Sequence, residues 1–292
     1  MTAGMKRPSG AAAQPDRSGA LRKGLVYLVL IWACAVAIYP MIMMIINSFK
    51  SDREMNINPA GAPIQWTLES YQKVFQFHNG LWLNLVNSII ISLVSTVAAV
   101  FLCALAAYAF AKYTFWARDA MFALLLATFM VPPEIIIPGQ YIFFARLHWI
   151  NTLQIQIFPT ITPVLGLFFI RQYMLGIPDE MLEAARVDGA GHFATFWRIM
   201  VPVSAPVLGA YAILHFLSVW NAYTWPVLVA TKAEVQPIMV MLPQMVDPVV
   251  GFLPVWGTIM AGATLATIPI LVVFIAFQDK FMSSVVVGAV KE

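Results

Sequence analysis

Five stretches carry no Asp, Glu, Lys or Arg at all: Gly24–Phe49, Val74–Ala111, Leu147–Ile170, Ile199–Thr231 and Pro248–Gln278. Each is longer than the ~20 residues a helix needs to cross ~30 Å of hydrocarbon at ~1.5 Å per residue. A sixth run, Ala120–Ala145, is interrupted only by Glu134. With 61% hydrophobic and 11% charged residues and a mean hydropathy of +0.79, a chain of 292 residues cannot hide this surface in a water-soluble core. The solvent implied is a lipid bilayer. In lipid every backbone amide needs a partner within its own segment, so the runs read as helices rather than open strands. The expected fold is an all-α membrane protein with six transmembrane helices, near residues 24–46, 85–111, 120–143, 152–172, 205–229 and 258–278. A transmembrane domain over 23–281 would then sit between a disordered N-terminal tail, 1–22, and a C-terminal tail, 282–292.

Basic residues orient this array. With the N-terminus inside, one side holds Lys6, Arg7, Arg17, Arg22, Lys23, Lys112, Arg118, Arg171, Arg186, Arg198, Lys280 and Lys291, and the other only Lys50, Arg53, Lys73, Arg146 and Lys232. That asymmetry favours a multi-pass protein of the bacterial inner membrane with both termini cytoplasmic. The net charge of +3 mostly reflects this sidedness and calls for no nucleic acid. Residues 1–22, with Pro8 and Pro15 among small residues, lack the apolar core of a signal peptide, which leaves the first span as an uncleaved anchor. Cys34 and Cys103 both fall in expected spans and suit packing rather than a disulfide or zinc site.

One polar connection stands out, from Ile177 to Pro206, and this sidedness places it in the cytoplasm. Pro178 suits the first turn of a helix, and Asp179 and Glu180 suit its positive end. Glu183 lies one turn further in, where the dipole helps little, and Asp179 at i−4 is a like charge that an outside cation would relieve. Ala184 and Ala185 make a small-residue surface open to close approach. Gly189, after Asp188 and before Ala190, is placed to end the helix in a left-handed conformation. Phe193, Phe196, Trp197 and Met200 then recur at helical spacing, giving a second helix that stops before Pro202. From these residues alone, Glu183 could equally pair with Arg186 on a solvated interfacial helix.

Glu183-Ala184-Ala185, Gly189, Ile199 and Pro202 stand at the spacing of the cytoplasmic coupling (EAA) loop, here 177–204 between helices four and five, and the chain resembles permeases of ABC importers. The resemblance is to the sugar-uptake branch, in particular the maltose-type second permease. It extends over Asn87-Ser88, Ala106 to Ala111, Trp220 to Pro226 and Phe277-Gln278. Departures are Val201, Ala222 where an acid is frequent, and Glu292 where the family ends in Gly. The resemblance implies the ABC type I importer permease fold and half of a path for a carbohydrate or related polyol, or alternatively for a glycerol phosphate ester. Glu183, Ala184, Ala185, Asp188, Gly189, Ala190, Ile199 and Pro202 would then couple to a separate ATPase. Gly288 and Lys291 in the tail would approach the same partner. Two ATPase copies holding ATP and Mg, a second homologous permease rather than a homodimer, and an extracytoplasmic solute-binding protein would complete the assembly.

The chain itself carries no G-x-x-x-x-G-K-[ST], H-E-x-x-H or G-x-S-x-G, and His78, His148, His192 and His215 are too scattered for a metal cluster. It is therefore read as a transport subunit with no catalytic site, cofactor or metal of its own. Within the spans, Asn87, Glu134, Ser218, Asn221, Tyr223 and Thr224 are candidates for a solute path, set against roles as interhelical hydrogen bonds and interface belt. Glu134 follows Pro132-Pro133, which could kink it toward the outer water, and His215 is expected to bond a neighbouring helix.

Overall fold

The computed structural model describes residues 17–77, 80–245 and 255–289, with side chains described for those between 23 and 276. Among the described residues the chain is helical throughout, without a strand. The helices are α1 (Arg17–Asn47), α2 (Asp52–Ile57), α3 (Glu69–Gln76), α4 (Leu81–Lys112), α5 (Arg118–Thr128), α6 (Pro133–Arg146), α7 (Gln154–Ile157) and α8 (Val164–Leu175). There follow α9 (Glu180–Val187), α10 (His192–Thr195), α11 (Val201–Val203), α12 (Ala205–Trp220), α13 (Thr224–Val229), α14 (Ile238–Gln244) and α15 (Trp256–Ala289).

Among the described residues, only α1, α4 and α15 are unbroken helices long and apolar enough to cross a membrane. Three of the expected continuous spans are broken instead, each beside proline. Over 120–143, α5 and α6 meet at 96°. Pro132 and Pro133 lack the N–H groups that the carbonyls of Thr128 and Phe129 would bond, so the helix stops and restarts with Pro133 in its first turn. Over 152–172, Gln154–Thr160 and Val164–Leu175 are bent by 40° where Pro159 and Pro163 interrupt the ladder. Over 205–229, α12 ends at Trp220, and α13 begins only at Thr224 with Pro226 in its first turn. The terminal helices are longer than their apolar runs. The backbone is helical from Arg17, inside the stretch read as a disordered tail and just after Pro15, and α15 runs through 282–289, where the sequence has no proline to stop it. Gly288 lies in that helix, whereas Lys291 and His78 fall outside the described residues.

The core is built around α4. One face carries small buried residues at helical spacing, Ser88, Ser92, Ser95, Ala99, Cys103 and Ala107, which lets α8 and α12 lie close against it. Toward the Lys112 end, Ala104, Tyr108 and Phe110 pack with Ile170, Met174, Phe196, Met200 and Leu208. Toward the Leu81 end, Leu81 packs with Val74, Trp220, Ile238, Met241 and Ala261. Gly166 on α8 is required here: a Cβ at that position would lie 2.3 Å from the Tyr211 ring of α12. α1 leans chiefly on α15 and turns its apolar side chains outward, the arrangement that lipid permits and water does not.

At the Leu81 end, residues 48–76 form a small folded cap. Lys50, wholly buried, donates to the carbonyls of Asn58 and Gly61, both at 2.6 Å, and so closes the C-terminal end of α2. Asp52 accepts from the Thr258 N–H and binds Lys73 at 2.9 Å, tying α2 and α3 to the start of α15. Glu54 accepts from the Ile64 N–H at 2.6 Å.

Candidate functional site

The polar connection after α8 opens with a clamp from α4. The Lys112 ammonium, its side chain only 3% exposed, donates to the Ile177 carbonyl and to Asp179 Oδ1 at 2.6 Å. The cation that relieves Asp179 thus comes from within the chain, and Glu183 is left without an ion-pair partner of its own among the described residues. Nor does Glu183 pair with Arg186; neither makes an ion pair among the described residues. The α9 helix turns Leu182 and Ala185 inward and presents Glu180, Glu183, Ala184 and Val187 on one exposed stripe at i, i+3, i+4 and i+7. Ala184 and Ala185 were expected to share a surface. They do not, because one residue step turns a helical side chain by ~100° and carries Ala185 into the core. Val187, on the same stripe, is 88% exposed.

α9 ends in a Schellman turn. Gly189 adopts φ +80°, its N–H bonds the Arg186 carbonyl at 3.0 Å, and the Ala190 N–H bonds the Ala185 carbonyl at 2.9 Å. No atom comes within 4 Å of where a Gly189 Cβ would stand, so the glycine serves backbone conformation rather than packing. Beyond it, a hydrogen-bond chain runs back to α4: Tyr108 to Tyr113 at 2.7 Å between hydroxyls, then Tyr113 to His192 Nδ1 at 2.8 Å. Phe196 and Met200 are buried, while Phe193 and Trp197 remain exposed. The second helix does not stop before Pro202. It widens to a π-helical segment over Phe196–Met200, with the Val201 N–H on the Phe196 carbonyl, and continues through α11 to a 77° bend into α12. This wider turn accommodates the N–H missing at Pro202. Ile199 is half-buried in the π-helical segment, and Pro202 is exposed.

The six candidates for a solute path do not converge. Asn87 is buried and its amide donates to the carbonyls of Glu234 at 2.8 Å and Gln236 at 3.2 Å, beside Asn84, which donates to Gln236 at 2.8 Å. Ser88 accepts from the Ile238 N–H at 2.8 Å. Asn221 caps its own helix through the Leu217 carbonyl at 2.8 Å. Tyr223 and Thr224 are exposed at the break between α12 and α13, and Glu134 is exposed in the first turn of α6. Only Ser218 lines the open cavity of about 550 Å³ between α8 and α12, with Pro133, Pro163, Phe169 and Tyr211 among its other walls. The Tyr211 and Ser218 hydroxyls make no hydrogen bond among the described residues, and no Asp, Glu, Lys or Arg lines the space. His215 forms part of that wall but is engaged: Nε2–H donates to the Thr160 carbonyl at 2.9 Å, and Nδ1 accepts from Thr96 at 3.3 Å, the neutral tautomer that serves both partners.

Sequence reasoning missed Lys112, Tyr113, Asn84 and Tyr211. The first two were discoverable as the sole cation and the following tyrosine at the end of a span, and Asn84 as the i−3 neighbour of Asn87. Tyr211 offered no such signal.

A family model for the binding-protein-dependent transport system inner membrane component matches residues 99–287, from the middle of α4 through the polar connection into α15. The chain belongs to this family. This permease is 32% identical over 88% of its length, and 92% of the other, to the arabinooligosaccharides transport system permease protein AraQ of Halalkalibacterium halodurans. It is 31% identical over 94% of its length, and 99% of the other, to the trehalose/maltose transport system permease protein MalG of Thermococcus litoralis. To the sn-glycerol-3-phosphate transport system permease protein UgpE of Yersinia pestis it is 32% identical over 70% of its length and 72% of the other. Its fold matches a chain of a bacterial ABC transporter that imports the acidic polysaccharide alginate, with a TM-score of 0.77 at 20% identity, covering 94% of this permease and all of that chain. The fold is accordingly that of a type I ABC importer permease, and the chain is an inner-membrane transport subunit.

Proposed function

We propose that this permease forms half of the transmembrane path of an ATP-driven importer for a carbohydrate or related polyol, and that α9 is where the ATPase engages it. The observation that carries the reading is the exposed stripe of α9, where an unpaired Glu183 stands beside Ala184 and Val187. A small residue admits a close approach, an exposed apolar one benefits from cover, and a lone carboxylate invites a cation from the partner. Two copies of the ATPase would bind ATP and Mg, which this chain has no phosphate-binding loop to hold. The Schellman turn at Asp188, Gly189 and Ala190 sets the exit from the docked helix, with Ile199 and Pro202 on the returning segment. Gly288 and Lys291 in the tail would approach the same partner. A second, homologous permease would supply the other half of the path, and an extracytoplasmic binding protein would deliver solute at the Leu81 end, with both termini in the cytoplasm as the basic-residue asymmetry favours.

The arabinooligosaccharide and trehalose/maltose names of the relatives support the sugar class, and the cavity beside α12 supports it from chemistry. Two free hydroxyls over proline and phenylalanine walls suit a neutral, hydroxylated solute. A glycerol phosphate ester, as named for another relative, would find no cation on this wall. Purification of the Glu183→Arg variant tests the coupling reading: the protein should insert and accumulate normally yet lose the ATPase, and retained ATPase with full uptake would refute it.

A further inference from the structure

We propose that α4 is the strut through which movement of α9 reaches the loop at the opposite membrane face, and that Lys112 and Tyr113 at one end and Asn84 and Asn87 at the other are its positioning residues. The inference rests on the permease reading, since it supplies the route by which an ATPase docked on α9 would act across the membrane.

The argument begins with where polar groups sit on an apolar rod. α4 is one unbroken helix, buried along one face, and it contains no proline. Its polar side chains engage other segments chiefly at its two ends. At one end Lys112 holds the entry of α9 through Ile177 and Asp179, and the Tyr108–Tyr113 pair holds the exit of α9 through His192. Both ends of the coupling helix are therefore fastened to the same neighbour, so α9 cannot tilt or shift without loading α4. At the other end Asn84, Asn87 and Ser88 bond the backbone of Glu234, Gln236 and Ile238. Asn87 and Lys112 are 25 positions apart, about 38 Å along a helix axis. These bonds go to backbone groups, to a paired charge or to a histidine ring nitrogen, and their directionality constrains position where apolar contacts would allow sliding. The α5–α6 pair, bent by 96°, offers no comparable route.

The test uses the assembled transporter in lipid nanodiscs, with Cys34→Ala as background and Glu234→Cys as reporter; the Glu234 side chain is exposed and its backbone bond to Asn87 is kept. The rate of N-ethylmaleimide labelling is measured without nucleotide and with ATP, Mg and vanadate. In the parent the nucleotide should change the rate by about fivefold or more, the low end of ordinary coupling. In Lys112→Met/Tyr113→Phe that response should vanish while the ATPase still co-purifies, and Lys112→Arg with Tyr113 intact should keep most of it. Asn84→Leu/Asn87→Leu should also abolish the response while leaving ATP hydrolysis in place. A response that persists in either clamp variant, or an absent response in the parent, would overturn the proposal. If the Lys112 variant does not assemble, the Asn84/Asn87 variant alone decides. Failure of the permease reading is distinguishable: there, Glu183→Arg would retain the ATPase whatever the clamps do.

Discussion

The cap at residues 48–76 and the connection at 177–204 are both polar, short-helical excursions from an apolar body, yet they treat charge in opposite ways. In the cap Lys50, Asp52, Glu54, Glu69 and Lys73 have partners within the chain, and Arg53 is the one charge without an ion pair or hydrogen bond among the described residues. In the connection only Asp179 has one; Glu180, Glu183, Arg186, Asp188 and Arg198 make no ion pair among the described residues. A segment most of whose charges are satisfied internally maintains its own shape. One whose charges stand unpaired beside an 88% exposed valine is shaped for something else to complete.

The strongest way to break that contrast is to change a charge on each side. Glu183→Arg should weaken ATPase association by about 2 kcal/mol or more, roughly 30-fold, by placing a cation where one is to be received; titration of the purified ATPase onto the permease measures it. Lys50→Met should do the reverse. Removing the charged donor from two part-buried carbonyls should lower stability by about 1.5–3 kcal/mol in thermal melts, with ATPase association unchanged. Gly189→Ala should cost about 1–2 kcal/mol through the left-handed φ alone, since a methyl there meets nothing, and Gly189→Asn should recover part of it in the same ATPase titration.

The smallest effect is expected at Lys73. Desolvation lowers its pKa, but hydrogen bonds and charge from Glu69 and Asp52 outweigh that and hold it above the ordinary 10.5. A folded-state pKa above the unfolded one means that the contribution is fully present below pH 10.5 and is lost as pH rises through the folded value. The melting difference between the parent and Lys73→Met should therefore be constant at neutral pH, a few tenths of a kcal/mol for so exposed a pair, and should close at more alkaline pH. Lys50 lies on the other side of this contrast. Burial pushes its pKa below 10.5 against the opposing pull of Glu54, so its folded form sheds its proton sooner and its stability contribution rises with pH across that window.

Much of the architecture was legible in the chain because lipid simplifies the rules: an apolar run of sufficient length has to be a helix, and the family spacing around Glu183 and Gly189 marked the loop that the structure makes into a capped, outward-facing helix. Position 189 is the clearest case, since its glycine and its neighbours specify a local turn that needs no distant partner. Asn87 is the opposite case. Its type and its place in a span suggested a solute contact, and nothing local revealed that Glu234 and Gln236 would bring their carbonyls to it.

Local rules therefore determined helix, solvent and cap, since these follow from a residue and its near neighbours. Which way Ala185 points, which cation meets Asp179, where prolines divide the spans at 96° and 40°, and which polar side chains remain free for a solute were decided only by the tertiary structure. Each of these depends on a donor, an acceptor or a packing surface from a distant part of the chain, and a one-dimensional pattern carries no information about which distant groups will meet.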